Sequence, residues 1–177
     1  AACAQMLLMG TSPAESLRLF FLAAVLCVGS AAAFGYAVND WADRKMDEAA
    51  QKPNTMAVLT PRQRAFASFL PLLAGIGFMT AGDFGRMANL VLGLELALVA
   101  AYSVQPIRLK EKGVLGVMAD ALSSGPLPCL FIILAFSSKA GAVTAEAVIF
   151  NAFLLIQLLA AGIKGILTHQ DLDREND

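Results

Sequence analysis

Four acidic side chains stand close together directly after a long apolar stretch of the sequence. They lie in the segment AVNDWADRKMDE at 37–48, and Asp40, Asp43 and Asp47 within it have the helical spacing i, i+3 and i+7. If a helix continues through this segment, neighbouring carboxylates are about 5–6 Å apart at Cβ, and the row covers about 10 Å of helix axis. Such a row of oxygens suits more than one hard cation, or one cation together with its anionic ligand.

A second acidic group lies in DLDREND at 171–177, where Asp173 and Asp177 stand at i and i+4. Carboxylates this close repel one another, and divalent cations remove that repulsion. Mg²⁺ binds through a few carboxylates together with the phosphates of a substrate and is seldom held by protein ligands alone. Two acidic groups beside apolar helices therefore indicate a phosphorylated ligand with a long hydrocarbon part.

The composition indicates that the elements carrying these residues are membrane helices. Hydrophobic residues make up 58% of the 177-residue chain and charged residues 15%, whereas about 25% of residues are charged in soluble domains. Apolar segments approaching the roughly 20 residues that cross a bilayer as a helix recur along the chain. We therefore predict an all-α integral membrane protein, a multi-helix bundle. The predicted spans are 16–38, 64–81, 87–104, 114–136 and 146–168.

Residues 1–177 are expected to form a single transmembrane helical domain that is truncated at both ends. The first residues, AACAQMLLMG, lack an initiator Met, and the last, DLDREND, stop inside a charged run. Residues 1–9 are predicted to be the tail of an earlier helix. The bundle expected from this sequence is therefore partial.

Lysine and arginine residues between the predicted spans indicate the orientation of the chain. Cytoplasmic connections of membrane proteins carry an excess of these residues. The basic residues of one set of connections are Arg44, Lys45, Lys52 and Arg62 in 39–63, and Arg108, Lys110 and Lys112 in 105–113. The connections on the other side of the membrane hold Arg86 and Lys139, and Arg18 lies at the edge of the first turn. We therefore expect both acidic groups, which four spans separate, to face the cytoplasm from the inner membrane.

Three segments resemble motifs of the UbiA superfamily of intramembrane prenyltransferases. NDWADRKMD at 39–47 fits the aspartate motif NDxxDxxxD, and DREND at 173–177 fits the second motif, DxxxD. Between them, YSVQPIRLKEKG at 102–113 is similar to the family's YSxPPxRLKxxG segment. The three occur in the expected order, and the resemblance covers nearly the whole chain. One departure is Asn54-Thr55, where family members often have an Arg-Pro pair.

The resemblance implies a role for each motif residue. Metal ligands are expected at Asn39, Asp43, Asp47, Asp173 and Asp177. Catalytic acids are expected at Asp40, Asp43, Asp47, Asp173 and Asp177. Contacts to a diphosphate are expected from Lys110, Lys52, Arg108 and Tyr102.

The resemblance also implies the reaction. Its cofactor is Mg²⁺, its donor an allylic prenyl diphosphate, and its acceptor an aromatic or other lipid-soluble compound within the bilayer. Stabilisation of the departing diphosphate is the main contribution expected of the protein, after which the acceptor attacks the cation-like carbon. No nucleic-acid partner is expected. Because the family as a rule has nine membrane helices, the chain taken alone is expected to be inactive while the intact protein turns over.

Two alternatives remain open. A CDP-alcohol phosphotransferase also uses aspartates and a divalent metal at the membrane surface, but its continuous signature begins with a DG pair and has AR before the later acids, and this sequence does not match it. The second alternative is a non-catalytic cation-binding membrane protein or scaffold that carries the same motifs. Mg²⁺-dependent release of diphosphate separates an enzyme from a scaffold.

Ionisable residues inside apolar spans are further candidates, because a charge near the centre of a bilayer is costly. Asp120 and Lys164 lie toward the cytoplasmic ends of their spans, and they are candidates either for lining the active cavity or for pairing with other helices. Glu95 is expected to form a hydrogen bond or charge pair between helices. Asp171 is expected to face water, and His169 to lie at a helix end at the membrane interface.

Overall fold

The computed structural model describes residues 12–140 and 143–176 of the chain, the side chains of residues 170 and 172–176 excepted. These residues form helices joined by short connections, and no strand occurs among them, which confirms the all-α prediction. Five helical segments are long and apolar enough to cross a membrane, by length and composition. Each of the five predicted spans overlaps one of these segments.

The first helix, α1 (Pro13–Ala49), runs far beyond the apolar stretch. Ser12 caps it by accepting a hydrogen bond from the Glu15 backbone N–H at 3.3 Å, and a proline at the first position lacks the N–H that would need a partner. The stretch Phe20–Cys27 within it is wound as a π-helix. Because α1 continues to its end without a break, the acidic segment 37–48 is helical, as the spacing of its aspartates required.

Helices α2 (Pro61–Gly82) and α3 (Arg86–Ser103) follow. A capping box of Thr60 and Gln63 begins α2, each side chain bonding the other's backbone N–H, which satisfies two of the amides that a helix start leaves unpaired. The connection between α2 and α3 turns sharply, and Asp83 there pairs with Lys139 at 3.0 Å.

The fourth apolar segment is divided into α4 (Val114–Ser124) and α5 (Pro126–Ser137). The break falls at Gly125, directly before a proline, because the proline ring cannot donate the helical hydrogen bond and clashes with the preceding turn. The last helix, α6 (Ala145–Asn176), covers the predicted span 146–168 and continues into the second acidic group.

The buried core lies between α1, α3 and α5. Phe84 and Phe131 are fully buried and meet edge to face, with ring centroids 5.3 Å apart. The outside of the bundle also carries large apolar side chains, such as Phe66 and Phe153, which are 66% and 70% exposed. Exposed apolar surface of this kind is unfavourable in water and is consistent with a bilayer environment.

The carboxyl ends of α1 and α3 meet at one end of the bundle, where Asn39 contacts Ser103. The connection 104–113 leads from that point directly into α4. Helix α6 packs against α4, and His169 near its end interacts electrostatically with Asp120. The fold therefore brings the first acidic segment, the connection 104–113 and the end of α6 to the same end of the bundle.

Candidate functional site

Lys110 contacts two residues of the first acidic segment at once. Its Nζ donates a hydrogen bond to Asn39 Oδ1 at 2.9 Å and another to Asp43 Oδ2. Ser103 Oγ donates to the same Asn39 oxygen at 2.9 Å. The Lys110 and Asp43 side chains are 15% and 19% exposed, so this ion pair is largely removed from solvent. Asn39 and Asp43, which were predicted to bind a metal, therefore lie in direct contact with Lys110, which was predicted to bind a diphosphate.

Arg108 is a second cation on Asp43. Its Nη2 donates to Asp43 Oδ1 at 2.9 Å, and its Nε donates to Glu111. Burial alone lowers the pKa of the Arg108 guanidinium, but the hydrogen bond to Glu111 and the charges of Asp43 and Glu111 outweigh burial and raise that pKa above its ordinary value. Arg108 therefore stays charged at any physiological pH, and both Asp43 oxygens accept hydrogen bonds from cations.

The short connection before α4 places these two cations two residues apart in a tight turn. Arg108 has a positive φ of 39°, and Leu109–Glu111 forms one turn of 3₁₀-helix. Gly116 of α4 allows the turn to lie directly on the helix, because a Cβ there would stand 2.6 Å from the Leu109 carbonyl oxygen and 3.0 Å from Lys110 Cα. A glycine on α4 thus sets the position of Lys110.

Asp40 and Asp47 have different partners from Asp43. Asn54 Nδ2 donates to Asp47 Oδ2 at 2.7 Å and to the Asp40 carbonyl oxygen at 2.8 Å, and Thr55 Oγ1 donates to Asp40 Oδ2. Asn54 Oδ1 in turn accepts the Met56 backbone N–H at 2.9 Å. These two aspartates therefore fix the connection after α1, and Asn54-Thr55, the departure from the family pattern, supplies both contacts.

The acidic residues of α1 therefore face two different sets of partners around the helix. At 3.6 residues per turn, Asn39, Asp43, Asp47 and Asp40 cover about 100° of the helix circumference in that order. The Asn39 and Asp43 edge faces Lys110 and Arg108, whereas the Asp40 and Asp47 edge faces the connection 50–60. The prediction that the three aspartates share one face agrees with this arc, but the face is wide enough for two sets of partners.

The oxygens of this segment are of the type that Mg²⁺ prefers, namely the Asn39 amide oxygen and the Asp43 and Asp47 carboxylates. Both Asp43 oxygens are engaged by cations, and Asp47 accepts from Asn54. Over the described residues, no group of three or more His, Cys, Asp or Glu side chains is arranged to hold a metal. A metal at Asp43 would stand beside the positive charges of Lys110 and Arg108, which an added phosphate would offset.

Tyr102 and Asp120 connect this site to α6. The half-buried Tyr102 lies near the carboxylates of Asp43 and Asp120, and Asp120 lies near His169 of α6. A series of polar side chains thus runs from α1 through α3 and α4 to the helix that bears the second acidic group. Asp120 lies in this series, at the end of the bundle where a cavity-lining role was predicted.

Other candidates lie away from the contacts around Asp43. Lys52, Lys164 and Asp171 are exposed. Glu95 is buried at 3% exposure, and its Oε2 has no hydrogen-bond partner in the part of the chain that the structure describes. The interhelical hydrogen bond expected for that oxygen is therefore not found among those residues.

The second acidic group is described only in part. The backbone of Asp173 belongs to the last turns of α6, and the position of its side chain lies outside the described part of the structure. Asp177 lies outside the described residues altogether. Their predicted roles as metal ligands and catalytic acids stay predictions.

Sequence reasoning did not single out four residues that hold the site together: Ser103, Asn54, Thr55 and Glu111. Ser103 is the serine of the YS pair, directly after a residue that was selected. The Asn54-Thr55 pair was noticed only as a departure from the expected Arg-Pro. Their contacts join residues 7 to 64 positions apart, except for the local Glu111 pair, and such pairings are not visible in a single sequence.

Comparisons of this chain with protein-family models, curated proteins and solved structures find no match. A function for the chain therefore has to be inferred from its residues and their contacts. The contact most informative about chemistry is the meeting of two cations, Lys110 and Arg108, with Asp43 at the end of apolar helices.

Proposed function

We propose that this chain belongs to a membrane prenyltransferase, which moves a prenyl group from an allylic prenyl diphosphate to an aromatic or other lipid-soluble acceptor. The observation that carries the proposal is the contact of Lys110 with Asn39 and Asp43, across 71 and 67 residues of sequence. Two of the three segments that resemble prenyltransferase motifs are thereby joined at one point. That point lies where apolar helices end, which suits a substrate with a charged head and a hydrocarbon tail.

Lys110 and Arg108 are suited to receive the diphosphate. Lys offers a compact charge with three donors, and Arg offers a planar fork that matches phosphate oxygens. In the described state both cations neutralise Asp43. When a diphosphate arrives, its oxygens compete with Asp43 for these cations, so that binding of the donor frees the Asp43 carboxylate.

The residues that would hold Mg²⁺ are Asn39, Asp43 and Asp47 on α1, together with Asp173 and Asp177. When bound, Mg²⁺ supplies positive charge that stabilises the diphosphate as it departs. Asp40 is proposed to act through its position, since its carboxylate and its backbone carbonyl fix the connection 50–60 beside these ligands.

The reaction breaks the bond between the prenyl C1 and the diphosphate oxygen, and the electron pair leaves with the diphosphate. An electron-rich atom of the acceptor forms the new bond to C1, and the acceptor gives up a proton. Lys110 and Arg108 stabilise the leaving group by charge-assisted hydrogen bonds, and the surrounding apolar helices keep water from the reactive carbon. The proposed location is the inner membrane, with the site facing the cytoplasm.

A non-catalytic scaffold is the second candidate, and one observation favours it. Asp40, Asp43 and Asp47 each accept hydrogen bonds from protein side chains, so the motif already has a structural role without a ligand. A scaffold needs no donor, and its contacts stay unchanged when a prenyl diphosphate is added.

Turnover in membranes that carry the intact protein distinguishes the two. Labelled farnesyl and geranylgeranyl diphosphate are supplied with a panel of quinone precursors, naphthoates and glyceryl lipids, with Mg²⁺ or with a chelator. We expect Mg²⁺-dependent release of diphosphate and a labelled lipid product, both reduced about 100-fold or more in Asp43→Asn. Full activity in Asp43→Asn, or no release with any acceptor, would overturn the proposal.

A further inference from the structure

A cavity of about 510 Å³ lies between α1, α2 and α3, apart from the acidic row. Phe34, Val38 and Trp41 line it from α1, and at 3.6 residues per turn they point about 140–180° away from Asp43. The cavity is therefore on the opposite side of α1 from the Asp43 carboxylate, and it meets the place proposed for the diphosphate only at Ser103 and Arg108. Its volume is within the roughly 300–1,000 Å³ typical of small-molecule sites.

The lining of this cavity is mostly apolar, with a few hydrogen-bonding groups. Phe34, Phe69 and Leu72 supply aromatic and aliphatic surface, and Gln105 and Arg108 supply donors at the end nearest the connection 104–113. Trp41 and Phe69 are 37% and 54% exposed, so the cavity opens toward the outside of the bundle. A ligand can therefore reach it from the bilayer.

Ser68 of α2 lines the cavity and has no hydrogen-bond partner. The residue is 2% exposed, and its Oγ contacts no donor or acceptor among the residues that the structure describes. A buried serine in a helix normally returns its hydroxyl to the carbonyl one turn earlier, and leaving it unpaired is costly. An unpaired hydroxyl beside a cavity indicates a ligand that carries a hydrogen-bonding oxygen.

The charges beside the cavity are balanced. Of the described residues, Arg108 is the one charged side chain that lines the cavity, at its end, and in this structure it is paired with Asp43 and Glu111. A carboxylate on a ligand among Phe34, Trp41 and Leu72 would therefore lie in apolar surroundings without a counter-ion, which is unfavourable. The occupant is therefore expected to be neutral.

We propose that this cavity binds a neutral, membrane-soluble ring compound with one hydroxyl or carbonyl group. Its ring lies among Phe34, Trp41 and Leu72, and its oxygen pairs with Ser68. The binding does not depend on the proposed prenyl transfer, since it needs neither a prenyl diphosphate nor Mg²⁺.

Trp41 provides a direct measurement, because it is the only tryptophan of the sequence. The full chain in lipid nanodiscs is titrated at pH 7 with 2-bromo-4-hexylphenol, a neutral phenol whose bromine quenches indole fluorescence on contact. We expect saturable quenching of Trp41. Quenching that rises linearly with the probe, without saturation, would show only partition into the lipid and would overturn the proposal.

Three variants sharpen the test. Ala100→Leu fills the cavity and is expected to abolish the saturable quenching, whereas Ala97→Leu, at an exposed position outside the lining of the cavity, is its matched control. Ser68→Ala removes one hydrogen bond and is expected to raise the apparent Kd about fivefold. Unchanged binding in Ala100→Leu, or tighter binding of a brominated alkylbenzoate than of the phenol, contradicts the proposed site.

Discussion

Lys110 meets the Asp43 carboxylate from a turn 67 residues further along the chain, and this ion pair joins two segments that resemble separate functional motifs. Asp43 also receives Arg108, so one carboxylate carries two cations. A diphosphate offers more negative charge than Asp43 does, and both cations are types that bind phosphate. We therefore propose that the pair is the resting arrangement of a diphosphate site.

Removing the charge of Lys110 should weaken binding of the donor. We expect Lys110→Met to weaken binding of a non-hydrolysable prenyl thiodiphosphate about 100-fold, because a charge-assisted contact to phosphate in a site largely removed from water is lost. Equilibrium binding of the labelled analogue measures this. Lys112→Met, at an exposed position two residues away, is the control and should bind as the wild type does. Equal affinity of the Lys110 and Lys112 variants would remove Lys110 from the site.

Replacing Arg108 by lysine should destabilise the chain although the charge is kept. Lysine cannot hold Asp43 and Glu111 together as the guanidinium does, and the loss of a charged hydrogen bond costs about 1.5–3 kcal/mol. Denaturant unfolding in detergent micelles measures the difference. Arg62→Lys, at an exposed position, is the matched control and should change the free energy of unfolding little.

The contribution of Arg108 to stability should not vary with pH in the working range. The pKa of the Arg108 guanidinium is raised above its ordinary value in the folded state. Such a group contributes its full stabilisation of the fold at any pH below the pKa that it has in the unfolded chain. The contribution is lost only as the pH rises through the folded-state pKa. Since an arginine side chain in the unfolded chain already titrates far above neutral pH, the window of loss lies well above neutral pH. The stability difference between wild type and Arg108→Gln should therefore be constant from about pH 7 to about pH 10. A difference that falls within this range would contradict a permanently charged Arg108.

Asn54 should stabilise the connection after α1 against local opening. Asn54→Ala removes the bonds to Asp47 and to the Asp40 carbonyl, and we expect the amides of residues 52–59 to exchange with deuterium about tenfold faster, because local opening becomes easier. Val58→Ala, at a position 86% exposed, is the control. Unchanged exchange in Asn54→Ala would mean that other contacts hold this connection.

Two glycines with opposite surroundings offer a paired test of how Lys110 is positioned. A Cβ at Gly116 meets backbone atoms of Leu109 and Lys110, whereas at Gly93 of α3 nothing lies within 4 Å. Gly116→Ala should cost about 1–3 kcal/mol and weaken donor binding by displacing Lys110. Gly93→Ala should be neutral or slightly stabilising, since alanine favours a helix. Full donor affinity in Gly116→Ala would show that the turn tolerates displacement.

Much of the fold could be predicted because its signals are local. Apolar length alone predicted the five spans, and the proline before α5 explains why the fourth is broken. The predicted first span ended at residue 38, and the helical spacing of the aspartates was the one indication that the helix continues beyond it, as α1 does to Ala49. The π-helical stretch Phe20–Cys27 had no recognisable signal, since its residues form an unbroken apolar run.

The site could be predicted less completely, because its partners are distant in sequence. Motif spacing selected Asn39, Asp43 and Lys110, and these three do meet. It did not reveal that Asp40 and Asp47 bind the connection 50–60, because that depends on Asn54-Thr55 taking the place of the expected pair. Within the described part of the chain, Ser68 Oγ and Glu95 Oε2 have no hydrogen-bond partner, and this too depends on which helices pack around them.

We propose that one diphosphate gathers a divalent cation between the two acidic groups. Electron paramagnetic resonance of Mn²⁺, a spectroscopic substitute for Mg²⁺, tests it in the intact protein with the prenyl thiodiphosphate analogue. We expect Mn²⁺ to bind tightly only when the analogue is present, and we expect Asp43→Asn and Asp173→Asn each to abolish this binding. Mn²⁺ binding that is independent of the analogue, or that survives in both variants, would contradict it.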